Sequence, residues 1–288
     1  MGKVFLDYDQ DALDRAYDQA AYAPNRDQIL ARLAHTSELV RRRLGVPERF
    51  SYGEMPVEGL DLYRAKRAPA PIVVFVHGGA WRAGRARDYA FPAETFVRAG
   101  AHYAALDFNN VTETGGDLLP MAEQVRRAIA WVWKNAERLG ADQRSVYVCG
   151  TSSGAHLGAV AATTDWTRYG LAPDPVRGYT LCSGMYDLRG PRLSKRSAYV
   201  KFTDEAEDAL SPQRHLARVN APIALLFGSL ETPEFQRQSR DFADALTRAG
   251  KTCELIRAEG YNHFEIAETL ANPYGPLGRA VLAQMKLA

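Results

Sequence analysis

Thiols are scarce in this chain: 288 residues hold three cysteines, Cys149, Cys182 and Cys253. They form no CxxC pair and no metal-ligand spacing, and each sits in an apolar, strand-like run. They therefore read as small buried hydrophobes. So sparse and odd a set excludes a disulfide-built scaffold and fits a reducing compartment. Long apolar runs are missing too. No stretch approaches the roughly 18 apolar residues of a membrane span, and the opening MGKVFLDYDQ has no apolar signal core. Met1-Gly2 lacks the Ser or Thr at the sixth position that myristoylation favours. The expectation is a soluble, cytoplasmic protein. Charge of one sign is not in excess: 36 Lys and Arg face 34 Asp and Glu, for a net +2. That balance gives no electrostatic reason to expect nucleic acid or an acidic membrane as partner. The one basic triplet, Arg41-Arg42-Arg43, reads as a solvated helix face. Internal repeats, low-complexity tracts and a phosphate-cradling GxGxxG string are absent as well, and no GK[ST] follows the glycine pair at residues 78–79.

What is present is an ordinary globular balance, 46% hydrophobic and 24% charged, enough for one sizeable core. Residues 1–50 stand apart as a polar-rich helical segment, with helices over 11–22 and 25–44. Asn25 is placed to cap the second, which carries Leu30, Leu33, Val40 and Leu44 as an apolar stripe interrupted at Ser37. Gly45-Val46-Pro47 ends it. From residue 51 to 288, strand-like runs (60–64, 71–76, 102–108, 145–149, 178–182, 222–227, 252–256) alternate with helical patterns (89–99, 119–139, 154–163, 233–249, 276–285). Several runs are continuously apolar, as strands covered on both faces must be. In the long helical pattern Met121, Val125, Ile129, Val132 and Trp133 recur at helical spacing as core contacts. This alternation predicts an α/β fold: a mostly parallel central sheet with helices on both faces and an N-terminal helical cap. Residues 188–216 break the rhythm and read as an insertion near the strand ends.

The sharpest chemical signal is Gly150-Thr151-Ser152-Ser153-Gly154, between the strand-like SVYVC and the helical AHLGAVAA. A serine on a tight strand-to-helix turn, flanked by glycines and set at a helix N-terminus, is the arrangement of an acyl-transfer nucleophile. Ser152 is the candidate nucleophile, and the Ser153 N–H a donor to the oxyanion. The second signal is His77-Gly78-Gly79-Ala80-Trp81, directly after PIVVFV. A glycine pair ending a buried strand leaves backbone N–H groups free, so Gly78 and Gly79 are the other oxyanion donors and His77 a brace for their loop. The base must lie late in a chain ordered serine, acid, histidine. His263, in Tyr261-Asn262-His263-Phe264, follows a strand and precedes a helix, and it is favoured over His215. His156, one turn into the elbow helix, reads as buried and structural. The acid follows the preceding strand: Glu231 is favoured, with Asp187 the main rival and Glu234 and Asp204 weaker ones.

These motifs resemble the hormone-sensitive-lipase-like branch of the α/β hydrolases. HGGxW with GxSSGAH, SGxYDL and a late HF pair look most like the kynurenine formamidases (arylformamidases) and related carboxylesterases, over residues 55–288. The resemblance implies an α/β-hydrolase fold, Ser152, Glu231 and His263 as catalytic triad, and Gly78, Gly79 and Ser153 as oxyanion site. By analogy it also suggests a homodimer. This chain departs from the pattern at Thr151, where the elbow commonly has His, and at Glu231, where formamidases usually carry Asp.

The expected reaction is hydrolysis of a small ester or amide through an acyl-enzyme, without metal or organic cofactor. An arylformamidase acting on N-formylkynurenine or a similar N-formyl arylamine is the alternative, and a non-catalytic binding relative the remote one. A lipase working at membranes would need an apolar lid, and the insertion is too charged to be one. Trp81, Tyr186 and Phe264 are the candidate substrate contacts; Trp166, Met185, Tyr199, Phe202 and Tyr261 could join them or belong to the core. Arg189, Arg192, Lys195 and Arg196 could receive a substrate carboxylate, or be merely solvated.

Overall fold

Eight strands run β1 (Glu48–Ser51), β2 (Gly59–Tyr63), β3 (Ala70–Val76), β4 (His102–Leu106), β5 (Ala141–Thr151), β6 (Gly178–Cys182), β7 (Ile223–Gly228) and β8 (Cys253–Ala258) in a computed structural model that describes residues 2–288. They form one sheet in the order β1-β2-β4-β3-β5-β6-β7-β8. β1 and β2 are antiparallel to their neighbours, and every pair from β4 to β8 is parallel. The expected mostly parallel sheet with helices on both faces is the observed one. β1 was not expected: Glu48, Arg49 and Ser51 are polar and exposed at the sheet's edge and only Phe50 is half-buried, so no apolar run marks them, and the sheet begins inside the segment read as helical cap.

Why the central runs are continuously apolar is visible in β3. Ile72, Val74 and Val76 enter one core with Val125, Ile129 and Val132 of helix Leu119–Lys134. Val73 and Phe75 enter the other, with Phe96 of helix Ala93–Ala99 and Leu277 and Val281 of helix Pro276–Gln284. Both faces of the strand are buried, so period-two alternation disappears. The long helical pattern stops at Lys134, where Asn135 ends it, and Trp133 is only partly buried. Cys149 and Cys182 lie fully buried on adjacent strands, while Cys253 is half-buried.

The N-terminal segment folds as helix Gln10–Ala16, a 3-10 turn Gln19–Tyr22 and helix Arg26–Leu44. Two details of its expected pattern change. Asn25 precedes the second helix but makes no side-chain cap; its carboxamide bonds to Glu265 and Asn262 instead. Leu30 is 40% exposed and Leu33 half-buried, while Ile29 and Val40 make the core contacts. Ser37, which interrupts the stripe, is buried because its hydroxyl donates to Asp88 O and accepts from Phe91 N–H. No helix among the described residues is long and apolar enough to cross a membrane.

Candidate active site

β5 ends at Thr151 and helix Ser153–Ala162 starts two residues later, which leaves Ser152 alone on the turn. Its φ of 55° and ψ of −125° lie in a region that costs a non-glycine residue about 1–3 kcal/mol. Neighbouring backbone holds it there. Ser152 N–H donates to Cys182 O at 2.8 Å. At Gly154 a Cβ would stand 2.0 Å from Val76 O, so only glycine lets the elbow helix approach β3 this closely.

From Ser152 a chain of hydrogen bonds runs inward. The Ser152 Oγ–H donates to His263 Nε2 at 2.9 Å, and His263 Nδ1–H donates to Glu231 Oε2 at 2.8 Å. His263 opens helix His263–Glu268, whose start is fixed by a capping box between Asn262 and Glu265. Glu231 lies in the loop after β7, where Gly228 packs so closely that a Cβ there would meet Tyr261 O at 2.2 Å. The loops carrying Glu231 and His263 therefore touch through backbone. Glu231 is 2% exposed and accepts three further bonds, from Ser183 Oγ (2.5 Å), Gly228 N–H (2.7 Å) and Gln19 Nε2 (2.9 Å). Four donors thus converge on this buried carboxylate, which would be costly to bury unpaired.

The rival acids and base sit elsewhere. Asp187 faces Arg189 N–H and Arg214, Glu234 pairs with Arg237 and Tyr17, and Asp204 pairs with Arg192. His215 bonds Asp208 O. His156 is fully buried, accepts from the Trp81 indole at Nδ1 (3.1 Å) and donates from Nε2 to Leu210 O (2.7 Å). Burial pushes its pKa down to about 4.

Opposite Ser152, Gly79, Ala80 and Trp81 take φ of 117°, 54° and 62° in succession, a backward-turning loop. Trp81 N–H donates to Ser153 Oγ at 3.1 Å and ties this loop to the elbow helix. Gly78 abuts the elbow: a Cβ on it would stand 3.1 Å from Ser152 Cβ. Among the described residues no acceptor takes up the N–H groups of Gly78 and Gly79. His77 Nδ1–H donates to Gly78 O at 2.8 Å, and the ring is stacked between Tyr89 and Phe108. Burial holds its pKa below the usual imidazole range, so it braces the loop as a neutral ring.

Ser152, His263, Gly78 and Gly79 open onto a cavity of about 750 Å³. Phe264, Tyr199, Tyr89 and Tyr17 contribute aromatic wall, and Leu30 and Leu33 reach it from the N-terminal helix. Trp81 and Tyr186, expected as substrate contacts, do not line it. Both are core residues, 1% and 0% exposed, with Tyr186 stacked on Phe242. The ionisable lining is mostly cationic: Arg26, Arg82, Lys195 and Arg196 against Asp18. Lys195 pairs with Asp18 at 2.5 Å, whereas Arg189 and Arg192 are turned to Glu207. Arg196 is 7% exposed, lies over the Trp81, Tyr17 and Phe235 rings, and has no acidic partner among the described residues. Cys182 also lines the cavity, but burial and the nearby Glu231 charge hold its thiol well above the usual range, so it is no rival nucleophile. Sequence reasoning missed the contacts of Gln19, Ser183 and Asn262 around Glu231 and His263. No local signal marks a glutamine that bonds a glutamate 212 residues away.

Residues 60–171 match the BD-FAE family model. Kynurenine formamidase of Danio rerio is 29% identical over 276 residues, spanning 91% of this chain and 92% of that one. Kynurenine formamidase of Salmo salar is 29% identical over 297 residues, spanning 97% of each. The crystal structure of esterase LipW from Mycobacterium marinum superposes with a TM-score of 0.71 at 21% identity, covering 94% of this chain and 90% of that one. The chain thus has the α/β-hydrolase fold and, over nearly its whole length, a sequence similar to the kynurenine formamidases.

Proposed function

We propose that this protein is a serine hydrolase that cleaves a small ester or amide through an acyl-enzyme. The observation that carries the reading is the unbroken hydrogen-bond line from Ser152 through His263 to Glu231, with Ser152 and His263 lining the cavity. In the first step Ser152 Oγ attacks the substrate carbonyl carbon as its proton passes to His263 Nε2. The carbonyl oxygen becomes an oxyanion that accepts from the N–H groups of Gly78, Gly79 and Ser153. Glu231 holds the imidazole tautomer and offsets the imidazolium charge. The bond from carbon to the leaving oxygen or nitrogen then breaks, and His263 Nε2–H protonates the departing alcohol or amine. Water repeats the sequence on the acyl-enzyme, releasing the acid and restoring Ser152 Oγ–H. Ser152→Ala is expected to lower kcat on p-nitrophenyl acetate by about 10⁶, the order for loss of such a nucleophile. Near-native turnover in that variant would overturn the reading.

A second reading narrows the substrate to an N-formyl arylamine such as N-formylkynurenine. Its support is the combination of aromatic wall and cationic lining in the cavity, together with similarity to the two fish formamidases. An aryl ring fits against Phe264 and Tyr199, and a substrate carboxylate fits the excess of cations. A hydrolysis panel of short and long p-nitrophenyl esters, anilides and N-formylkynurenine tests it. A rate on N-formylkynurenine no better than on acetate esters rejects this narrower substrate and leaves the serine mechanism standing.

A further inference from the structure

Glu231 is held in part from the N-terminal segment, to which the proposed reaction assigns no role. Gln19, 6% exposed at the start of the 3-10 turn Gln19–Tyr22, uses both ends of its carboxamide on the acid's loop. Its Nε2 donates to Glu231 Oε2 at 2.9 Å, and its Oε1 accepts from Thr232 N–H at 3.2 Å. The oxygen that Gln19 holds is the one that accepts from His263 Nδ1. Six residues on, Asn25 grips the base's loop: it donates to Glu265 Oε1 at 2.6 Å and accepts from Asn262 Nδ2 at 2.8 Å. Asn262 and Glu265 form the capping box that starts the helix bearing His263. One short stretch of the N-terminal segment therefore bridges the acid loop and the base loop.

We infer that Gln19 is a positioning residue for the proposed triad, acting through Glu231; the inference rests on the serine-hydrolase reading. A glutamate has one more rotatable bond than an aspartate, and that freedom would let its carboxylate turn away from the imidazole. Ser183 and Gly228 fix Oε1, and Gln19 fixes Oε2, so the carboxylate plane is held in line with His263. Gln19 thus belongs with the choice of a glutamate at position 231. A shorter acid starting from the same Cα would draw its oxygen away from the Gln19 carboxamide.

Three variants test this: Gln19→Ala, Glu231→Asp and the two combined, assayed on p-nitrophenyl acetate with the folded fraction of each measured by thermal unfolding. Gln19→Ala is expected to lower kcat about 10- to 100-fold, the worth of one hydrogen bond to a charged group, with KM changed less than about twofold. In the Glu231→Asp background, where the contact is already broken, Gln19→Ala should cost less than about twofold more. Additive losses would overturn the inference, because a packing role in the N-terminal segment is indifferent to the acid's length. If Glu231→Asp and Glu231→Ala both turn over normally, the triad reading and this inference fall together. If Ser152→Ala and Glu231→Ala are inactive but Gln19→Ala is normal, only the inference falls. Should Gln19→Ala fail to fold, Gln19→Glu keeps the shape while setting an acceptor oxygen against the carboxylate. It is expected to lose at least as much, and wild-type turnover in it would equally overturn the assignment.

Discussion

At the scale of single residues, the strain at Ser152 and the close approach at Gly154 are two sides of one turn. The serine is held at positive φ because helix Ser153–Ala162 comes against Val76 O and His77 O, and only a residue without Cβ allows that. Gly154→Ala would drive a methyl into two backbone carbonyls that cannot move without shifting β3. We expect a loss of about 3 kcal/mol or more, or failure to fold, measured by urea denaturation. Gly2→Ala, where a Cβ meets nothing within 4 Å, should be neutral in the same assay. Arg82 offers a second test at this scale. It lines the cavity, stacks 4.6 Å over Tyr199 and has no acidic partner among the described residues. If the arylformamide reading holds, Arg82→Gln should raise KM for a carboxylate-bearing substrate about tenfold, the worth of one charged contact, and leave KM for neutral esters nearly unchanged.

Among the elements, the helix that opens on His263 is the one whose boundary places the base of the proposed triad. Asn262 accepts from Phe264 N–H at 3.0 Å and from Glu265 N–H at 3.1 Å, so the helix starts where it does because of that side chain. Asn262→Ala should cost about 1 kcal/mol of stability by chemical denaturation, as lost N-caps do. The cap also sets the direction of the next side chain, so kcat should fall more than KM rises. The elements that bear Ser152 and His263 were legible in the sequence because each is announced locally: an apolar strand, a glycine-flanked polar residue, then a helical period. Glu231 was expected with rivals, since a carboxylate after a strand is common and only the fold shows that Glu231 meets His263 while Asp187 faces Arg214. β1 was not legible, because a short edge strand with a single half-buried apolar residue, Phe50, buries too little to leave a pattern. Nor were Leu30 and Leu33 as cavity wall: helical spacing says which residues share a face, not whether that face meets core or a pocket. Gln19 and Ser183 were invisible for a further reason. Their partner is distant in sequence, and glutamine and serine carry no periodic signal.

On the scale of the whole molecule, buried neutral imidazoles tie stability to pH. His156 joins the loop after β3, through Trp81, to the backbone of Leu210 near the end of the insertion. His102 joins Ala65 N–H to Gly140 O in the same accept-and-donate manner, and burial lowers its pKa as well. A group whose folded pKa is depressed contributes stability that is present above its unfolded pKa. That contribution is lost as pH falls through the folded value. For His156 the window runs from the ordinary imidazole value of 6.5 down to about 4, a loss on the order of 3 kcal/mol. The urea midpoint should therefore fall between pH 7 and pH 4. His156→Gln, which can accept from Trp81 and donate to Leu210, should flatten that slope.

The bridge from Gln19 to the acid loop also has a consequence in time. At roughly 5–20 residues per second, a ribosome needs tens of seconds to travel from Gln19 to Glu231, 212 residues downstream. Throughout that interval the N-terminal helices have no acid loop to grip, and β8, which leads into the base loop, does not yet exist. Under the proposed mechanism, a nascent chain that has already formed the strained turn at Ser152 still lacks its base. On the proposed reading, hydrolysis has to wait until the last strand docks and Gln19 and Asn25 close over the acid and base loops, through contacts 212 and 240 residues apart in sequence.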